Sequence, residues 1–483
     1  MSSQHAPAQD AARRGEQILA VFDTAFAEPL AAGPAALRGT FRKMAASAFA
    51  FYRGAACLFY RDLAAGHGAR PDEKDSADRA YGTDGVTAAG PHTGSPHTGS
   101  PHTDSPHTGP YLDERTSRVW IHGDLHAGAF GTYLDATGRL VLHAGGFDEA
   151  YVGPFLWDLQ RFAASVALLG HAKALSDAQI TGLVRTYAAA YRERIHALAA
   201  DAKSPGRDEL PPLTLDTAEG PLLDTLREAR ARTRSGLLET VTEVRDFERR
   251  FSAGAGAVEL DAAARYKVLA AFDGYLETLP ESSLAHPDAY RVKDVVGRHG
   301  TGPAGTPSYD ILLEGGSDAL ESDVVISLRQ ARTPAVARHL TGPLVGGHFR
   351  HEGHRAAVAQ RALQAHADPW LGWTELDGAG HLVTELSPYA VGLDWPELDD
   401  PAEISAVVAG LGRVTAALHA VPAGGGHALV PFSAERAIDA AIAADEEGFA
   451  TVLVDFAHSY GARARRDHEI FVDLLRDGRI PGV

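Results

Sequence analysis

Residues 65–110 contain almost nothing from which a protein core is built, and this divides the chain. The pentapeptide PHTGS recurs nearly unchanged from Pro91 to Gly109. Pro, Gly, Ser and Thr offer little apolar surface to bury, so the segment is expected to be a disordered insert. Any core must then be assembled from the sequence on either side of it. The insert's His92, His97, His102 and His107 recur every five residues. A weak metal-binding tract is one reading, and a replicated low-complexity tract is the better one.

At 483 residues the chain is too long for one simple core, which predicts two lobes or domains. Its formal net charge of -18 repels phosphate backbones and argues against a nucleic-acid partner. The single cysteine, Cys57, excludes an intrachain disulfide framework and a cysteine-based zinc site. The N-terminal MSSQHAPAQDAARRGEQ has no apolar run of the signal-peptide kind. No stretch approaches the roughly 20 continuous apolar residues of a membrane span. A cytoplasmic protein with no membrane partner is expected. A small molecule is the expected ligand, and a protein partner is left open.

The pattern from Arg14 to Ala64 is helical, including FRKMAASAFAFYRGAACLFYRDLA (41–64). Order resumes at Arg118, where VWIHGD reads as a short strand entering a loop. RLVLHAGGF (139–147) reads as a second strand, with Gly138 at the turn before it. WDLQRFAASVALLGH (157–171) and 177–201 read as helices, 204–215 as a Pro-rich linker, and 217–280 as further helices. YRVKDVVGRHGTGPAGTPSYDILLEG is Gly-rich between two strand-like runs, and DVVISLRQA (323–331) is a third. A helix at 352–368 and a strand at 381–388 follow, with helices from about 402 onward.

The chemistry concentrates in IHGDLHAGAFGTYLD (121–135). A buried strand ends in a tight Gly-containing loop that would set Asp124 at the mouth of a cleft. A lone Gly-Asp would be no more than a turn. Here a second strand and GFDEAYVGPFLWDLQRFA follow it. HGDLHAGAFG resembles the HGDxHxxN catalytic loop of aminoglycoside phosphotransferases and related small-molecule kinases. That resemblance implies that Asp124 orients or deprotonates an acceptor hydroxyl and that the residue five positions on binds magnesium. It further implies that an Asp at the end of the next strand binds the metal bridging the nucleotide phosphates.

The chain as a whole resembles the bacterial family numbered 2252 among the domains of unknown function. The resemblance rests on RKMAASAFAFYRGAACLFYRDL (42–63), VWIHGDLHAGAFGTYLDATGRLVL (119–142) and GFDEAYVGPFLWDLQRFAAS (146–165). It rests also on VKDVVGRHGTGPAGTPSYDILLEG (292–315), VAQRALQAHADPWLGWT (358–374) and a helical end closing on RDGRI (476–480). It implies an α+β, helix-rich, two-lobed protein-kinase-like fold with permuted lobe order. The lobe carrying the catalytic loop then precedes the one carrying the Gly-rich nucleotide loop. The corresponding boundaries are a disordered tail at 1–15, N-terminal helices at 16–64 and the insert at 65–110. The catalytic-loop lobe follows at 111–285, the Gly-rich-loop lobe at 290–395 and C-terminal helices at 396–483.

Four departures from that pattern matter. The metal-binding Asn position is Ala129, and a methyl group cannot ligate a hard cation. The Asn-Asp-Phe-Asp-Glu pattern of the family reads Gly145-Gly146-Phe147-Asp148-Glu149, so Gly146 stands where the metal carboxylate would be. The Gly-rich loop, Gly300-Thr301-Gly302-Pro303-Ala304-Gly305, has a proline that removes an N–H otherwise able to face phosphate. The phosphate-pairing Lys position is Arg329, and none of the chain's six lysines lies beyond Lys293. Losing one such electrostatic group typically costs about 3–4 kcal/mol of barrier, although such effects need not add.

Asp124, His122, His126, Asp148, Glu149, Asp158 and Arg161 are retained. By resemblance, Asp158 holds the loop by hydrogen bonding. Asp124 and His126 are therefore the candidate catalytic residues. His122, Gly300, Gly302, Gly305, Arg329, Asp158 and Arg161 are the candidates for substrate or nucleotide binding, with Asp148, Glu149 and His143 as candidate metal ligands. A His/Asp metal site from His122, Asp124, His126 and His143 is weighed against loop packing, and packing is preferred. Trp370 and Trp373 read as core, and Arg42, Lys43 and Arg53 as a solvated face or an anion site.

The expected function is a kinase-like, ligand-binding pseudoenzyme. The alternatives are an active ATP-dependent small-molecule phosphotransferase and a different chemistry in a remodelled cleft, as in secondary metabolism. No cofactor is assigned; ATP and Mg²⁺ enter only with the active phosphotransferase.

Overall fold

The computed structural model of the chain describes residues 5–32, 34–66, 111–200, 212–254, 256–285, 287–298, 306–340, 347–364, 366–420 and 429–480. The repeat insert and residues Gly300, Gly302 and Gly305 lie outside them.

The N-terminal part consists of α1 (His5–Ala25), α2 (Ala27–Ala32), α3 (Pro34–Ala45), α4 (Ala48–Gly54) and α5 (Ala56–Ala64). The run at 41–64, expected as one helix, is thus broken twice. Ser47 starts α4 by accepting the amide of Ala50 on its side chain, and the chain turns again at Ala55. α1 begins inside the segment expected to be a tail. Arg14 anchors it, with its guanidinium pairing Asp62 and Asp467.

Next come β1 (Val119–Ile121), β2 (Phe130–Leu134), β3 (Leu140–Ala144), β4 (Tyr151–Gly153), α6 (Phe155–Ala172), α7 (Asp177–Ala200) and β5 (Leu213–Thr214). β1 pairs with β4, and β2–β3–β5 form a small antiparallel sheet. α6 is apolar nearly all round and is buried accordingly, at the centre of the main core. After α8 (Gly220–Ala231) and α9 (Arg234–Val241), the expected run of helices is interrupted by the hairpin β6 (Thr242–Arg245)–β7 (Glu248–Phe251).

β8 (Ala257–Val258), α10 (Ala262–Leu276), β9 (Val292–Arg298), β10 (Ser308–Leu313), β11 (Val324–Gln330), α11 (Glu352–Leu363), β12 (Gly372–Leu376) and β13 (Ala379–Glu385) build a second body. Its antiparallel sheet runs β12-β13-β11-β10-β9-β8. One face, with Ile311, Ile326, Leu328 and Val383, packs on Val268, Phe272 and Tyr275 of α10. The other face begins with Val296, Leu312 and Val325 against Leu238 and Phe251. It continues in polar residues, because strand alternation and register put Arg298, Asp310, Ser327 and Arg329 on that side.

The chain ends in α12 (Pro401–His419), α13 (Ala434–Ala443) and α14 (Glu446–Arg476). α12 is the one helix among the described residues long and apolar enough to cross a membrane, yet more than half of that window is buried, packed against α7. The far end of α14 closes on the N-terminal helices through Phe22, Phe41, Phe51 and Phe471. The architecture is therefore mixed α+β, helix-rich, with a six-stranded sheet.

Candidate functional site

The loop after β1 is shaped by one glycine and one buried carboxylate. Gly123 has φ +77°, and a Cβ there would lie 2.0 Å from the carbonyl oxygen of Glu149, so no other residue fits. Asp158, with no exposed surface, accepts the amides of His122 at 2.6 Å and Gly123 at 2.9 Å. His419 Nε2 sits 3.2 Å from the same carboxylate, and Tyr191 is hydrogen-bonded to His419 Nδ1. The Tyr60 hydroxyl donates to the carbonyl of Gly123. Farther along, Ala127 donates its amide to Ser165, and Trp395 donates its indole N–H to the carbonyl of Ala127 at 2.8 Å.

His122 is built into the same frame. Its Nε2 lies 3.0 Å from the carbonyl of Gly145, and its Nδ1 accepts the amide of Asp124. These partners assign an Nε2–H tautomer, since a carbonyl can only accept. His122, Asp158 and Arg161, grouped by sequence with ligand-binding residues, stand behind the loop with almost no exposed surface and hold it in place.

Asp124 faces the open side. Arg161 donates Nε–H to its Oδ1 at 2.7 Å, and Nη2 contacts the same oxygen. The guanidinium is fully buried, beneath the rings of Tyr52 and Phe59 at 4.5 and 4.9 Å from their centroids, and also donates to the carbonyl of Tyr52. The side chain of Asp124 keeps 23% of its surface exposed. Burial pushes its carboxyl above its ordinary value, against the pull of Arg161. His126 Nε2 is 3.9 Å from Asp124 Oδ2, beyond hydrogen-bonding distance. Burial, with Arg161, Arg53 and His122 adding to it, holds the His126 imidazole well below its ordinary pKa, so the ring is neutral.

The two positions that the kinase resemblance would fill with magnesium ligands do come together. The amide of Gly145 donates to the carbonyl of Ala129 at 2.8 Å, which sets Ala129 beside the Gly145–Gly146 turn. They present a methyl group and a hydrogen. The neighbouring acid Glu149 is drawn elsewhere. Glu149 accepts the amide of Ala335 at 2.5 Å, and burial pushes its carboxyl up to about 7. Asp148 lies half-buried next to it, its carbonyl accepting from Arg355 at 2.7 Å. His143 sits on β3 against the ring of Tyr133. Among the described residues no three His, Cys, Asp or Glu side chains gather as a ligand group. The donor set does not fit a magnesium-bridged triphosphate.

Arg329 lies on the polar face of the large sheet, in register with Ser308 and Leu382. Its Nε is buried and has no hydrogen-bond partner among the described residues. Arg42 and Lys43 are exposed on α3. Trp370 packs on Tyr290, and Trp373 lies between His354 and Arg361.

Two features have no local signal in the sequence. Arg355 on α11 is fully buried and donates to the carbonyls of Asp148, Ala150 and Arg332, joining the two bodies next to the loop. Asp368 and Glu385 form an acidic pair, with Asp368 accepting the amide of Glu385 and Arg234 bonding Glu385 at 2.9 Å. Burial and then Asp368 push the Glu385 carboxyl up to about 7. Only the fold makes neighbours of residues so far apart in the chain.

No functionally curated protein matches the chain, and neither does any solved structure. A family model does match, across residues 33–474, and its description is "Uncharacterized protein conserved in bacteria (DUF2252)". That span takes in the loop, the large sheet and most of the last helix, and the chain belongs to this bacterial family.

Proposed function

We propose that this protein is a kinase-like, ligand-binding pseudoenzyme. It keeps the frame of a phosphotransferase cleft and binds a small molecule there without transferring phosphate. The observation that carries this reading is the pairing of Ala129 with the Gly145–Gly146 turn, which offers no oxygen-bearing side chain where two metal ligands would be needed.

The kinase-like part draws support from the order of parts in the second body. The antiparallel strands β9 and β10 lie on either side of the Gly-rich sequence 299–305. A cation, Arg329, stands on the next strand, and a helix, α11, follows. Kinases likewise use a Gly-rich loop, a cation on the third strand and a helix beside it. In this chain the body follows the HGD loop, an order that the proposed reading takes as a permutation of the lobes.

The competing reading, an active phosphotransferase, draws on the second oxygen of Asp124, for which Arg161 leaves room to accept a proton. Mixing the protein with γ-labelled ATP, Mg²⁺ and a panel of hydroxylated small molecules separates the two. The pseudoenzyme releases and transfers no label. Label loss that disappears in Asp124→Asn establishes the active phosphotransferase.

A further inference from the structure

Beside Asp124 there are polar groups that the loop's own architecture leaves unmatched. His126 is only 5% exposed, yet its Nδ1 is buried with no hydrogen-bond partner among the described residues. A buried polar atom of this kind costs free energy unless something meets it. Arg161, fully buried, leaves its Nη1 unmatched as well. Arg53, exposed on α4, forms no ion pair among the described residues and rests near the ring of Phe49, whose edge in turn meets His126.

Gly128 shows that the groups on His126 and Arg53 converge. A Cβ built there would lie 3.5 Å from His126 Nδ1 and 3.6 Å from Arg53 Nη1, with nothing closer. One small space is thus bounded by an imidazole nitrogen, a free guanidinium and a residue without a side chain. Its electrostatics favour an anion. Two guanidiniums, Arg53 and Arg161, stand against the one carboxylate of Asp124, while Glu149 is turned toward Ala335.

We infer that the space over Gly128, between Arg53 and His126, is a subsite for a small oxyanion group of the ligand, a carboxylate or a phosphate. Arg53 supplies the charge-assisted pair, and His126, in its Nδ1–H tautomer, supplies a directed donor. The open oxygen of Asp124 then receives an ammonium or hydroxyl of the same molecule. The ligand class is a small molecule with an oxyanion at one end and a donor at the other. This assignment rests on the ligand-binding reading of the cleft but uses other residues. The Mg²⁺–ATP experiments depend on Ala129 and Gly146, so either result can fail without the other.

The test is a thermal-shift titration of the full chain with inorganic phosphate and, separately, with acetate, against sodium chloride of equal ionic strength. A saturable rise in melting temperature with either anion supports the subsite, and the more effective anion identifies the chemistry. Gly128→Ala fills the space and abolishes the response. Arg53→Gln, at an exposed position, weakens it by about tenfold or more. No saturable response from the wild-type protein overturns the inference, as does a wild-type response in Arg53→Gln.

Discussion

The carboxylate of Asp124 and the guanidinium of Arg161 form an ion pair in which only the acid has any access to solvent. The asymmetry has a consequence for mutation. Removing Asp124 strands a fully buried positive charge, held otherwise by one carbonyl and two aromatic rings. Asp124→Ala should therefore destabilise the protein by about 3–5 kcal/mol. Adding Arg161→Met should restore part of the loss, since a buried pair replaced by apolar groups is far less costly than a broken one. Thermal unfolding of both single variants and the double variant measures this. A neutral Asp124→Ala would place the residue outside the structural frame.

Asp158 holds two loop amides at once. Asp158→Ala leaves both buried N–H groups unmatched and removes the partner of His419, a loss on the order of 3–5 kcal/mol. Asp158→Asn keeps one acceptor and should lose distinctly less. Unfolding midpoints in urea rank the three proteins.

The positions that the proposed kinase-like reading assigns to metal ligands suggest a gain-of-function experiment. Gly146 has φ +79°, a conformation that Asp tolerates better than most residues, and a Cβ there meets nothing within 4 Å. Ala129→Asn with Gly146→Asp should therefore create Mg²⁺-dependent nucleotide binding that the wild type lacks. Calorimetry with ATP, with and without Mg²⁺, reads it directly.

Glu149 gives the protein a pH signature. Burial raises its folded pKa from 4.5 to about 7, so the folded state holds its proton more tightly than the unfolded state does. Its contribution is then greatest below pH 4.5 and falls as pH rises through 7. Glu149→Gln removes this dependence. Between pH 5 and pH 8 the wild type should lose on the order of 1–3 kcal/mol more stability than the variant. Unfolding curves at the two pH values check both sign and size.

The loop, β1 before it and β3 beyond it were legible because their signals are local. Apolar residues of β1 run directly into Gly123 and Asp124, and the apolar run of α6 follows within forty residues. β2 was missed because FGTYL lies directly against the glycines of the loop, which mask its alternation. The hairpin at 242–251 was missed because its strands are rich in Glu and Arg and half-exposed, so helix-compatible residues hide a two-residue turn at Asp246 and Phe247, both with positive φ. The frame around the site was illegible for a different reason. Tyr60 reaches Gly123, Arg355 reaches Ala150 and His419 reaches Asp158 only through tertiary packing, and nothing in the local pattern of Tyr60, Arg355 or His419 marks those partners.

Ala129 and Gly146 offer no side-chain oxygen to hold a metal-bridged triphosphate. Isothermal titration of the full chain with ATP, repeated with and without Mg²⁺, tests it most directly. The prediction is a heat of binding that is weak or absent and unchanged by the metal. Tight binding that requires Mg²⁺, and that weakens in Asp148→Asn or Glu149→Gln, would contradict it.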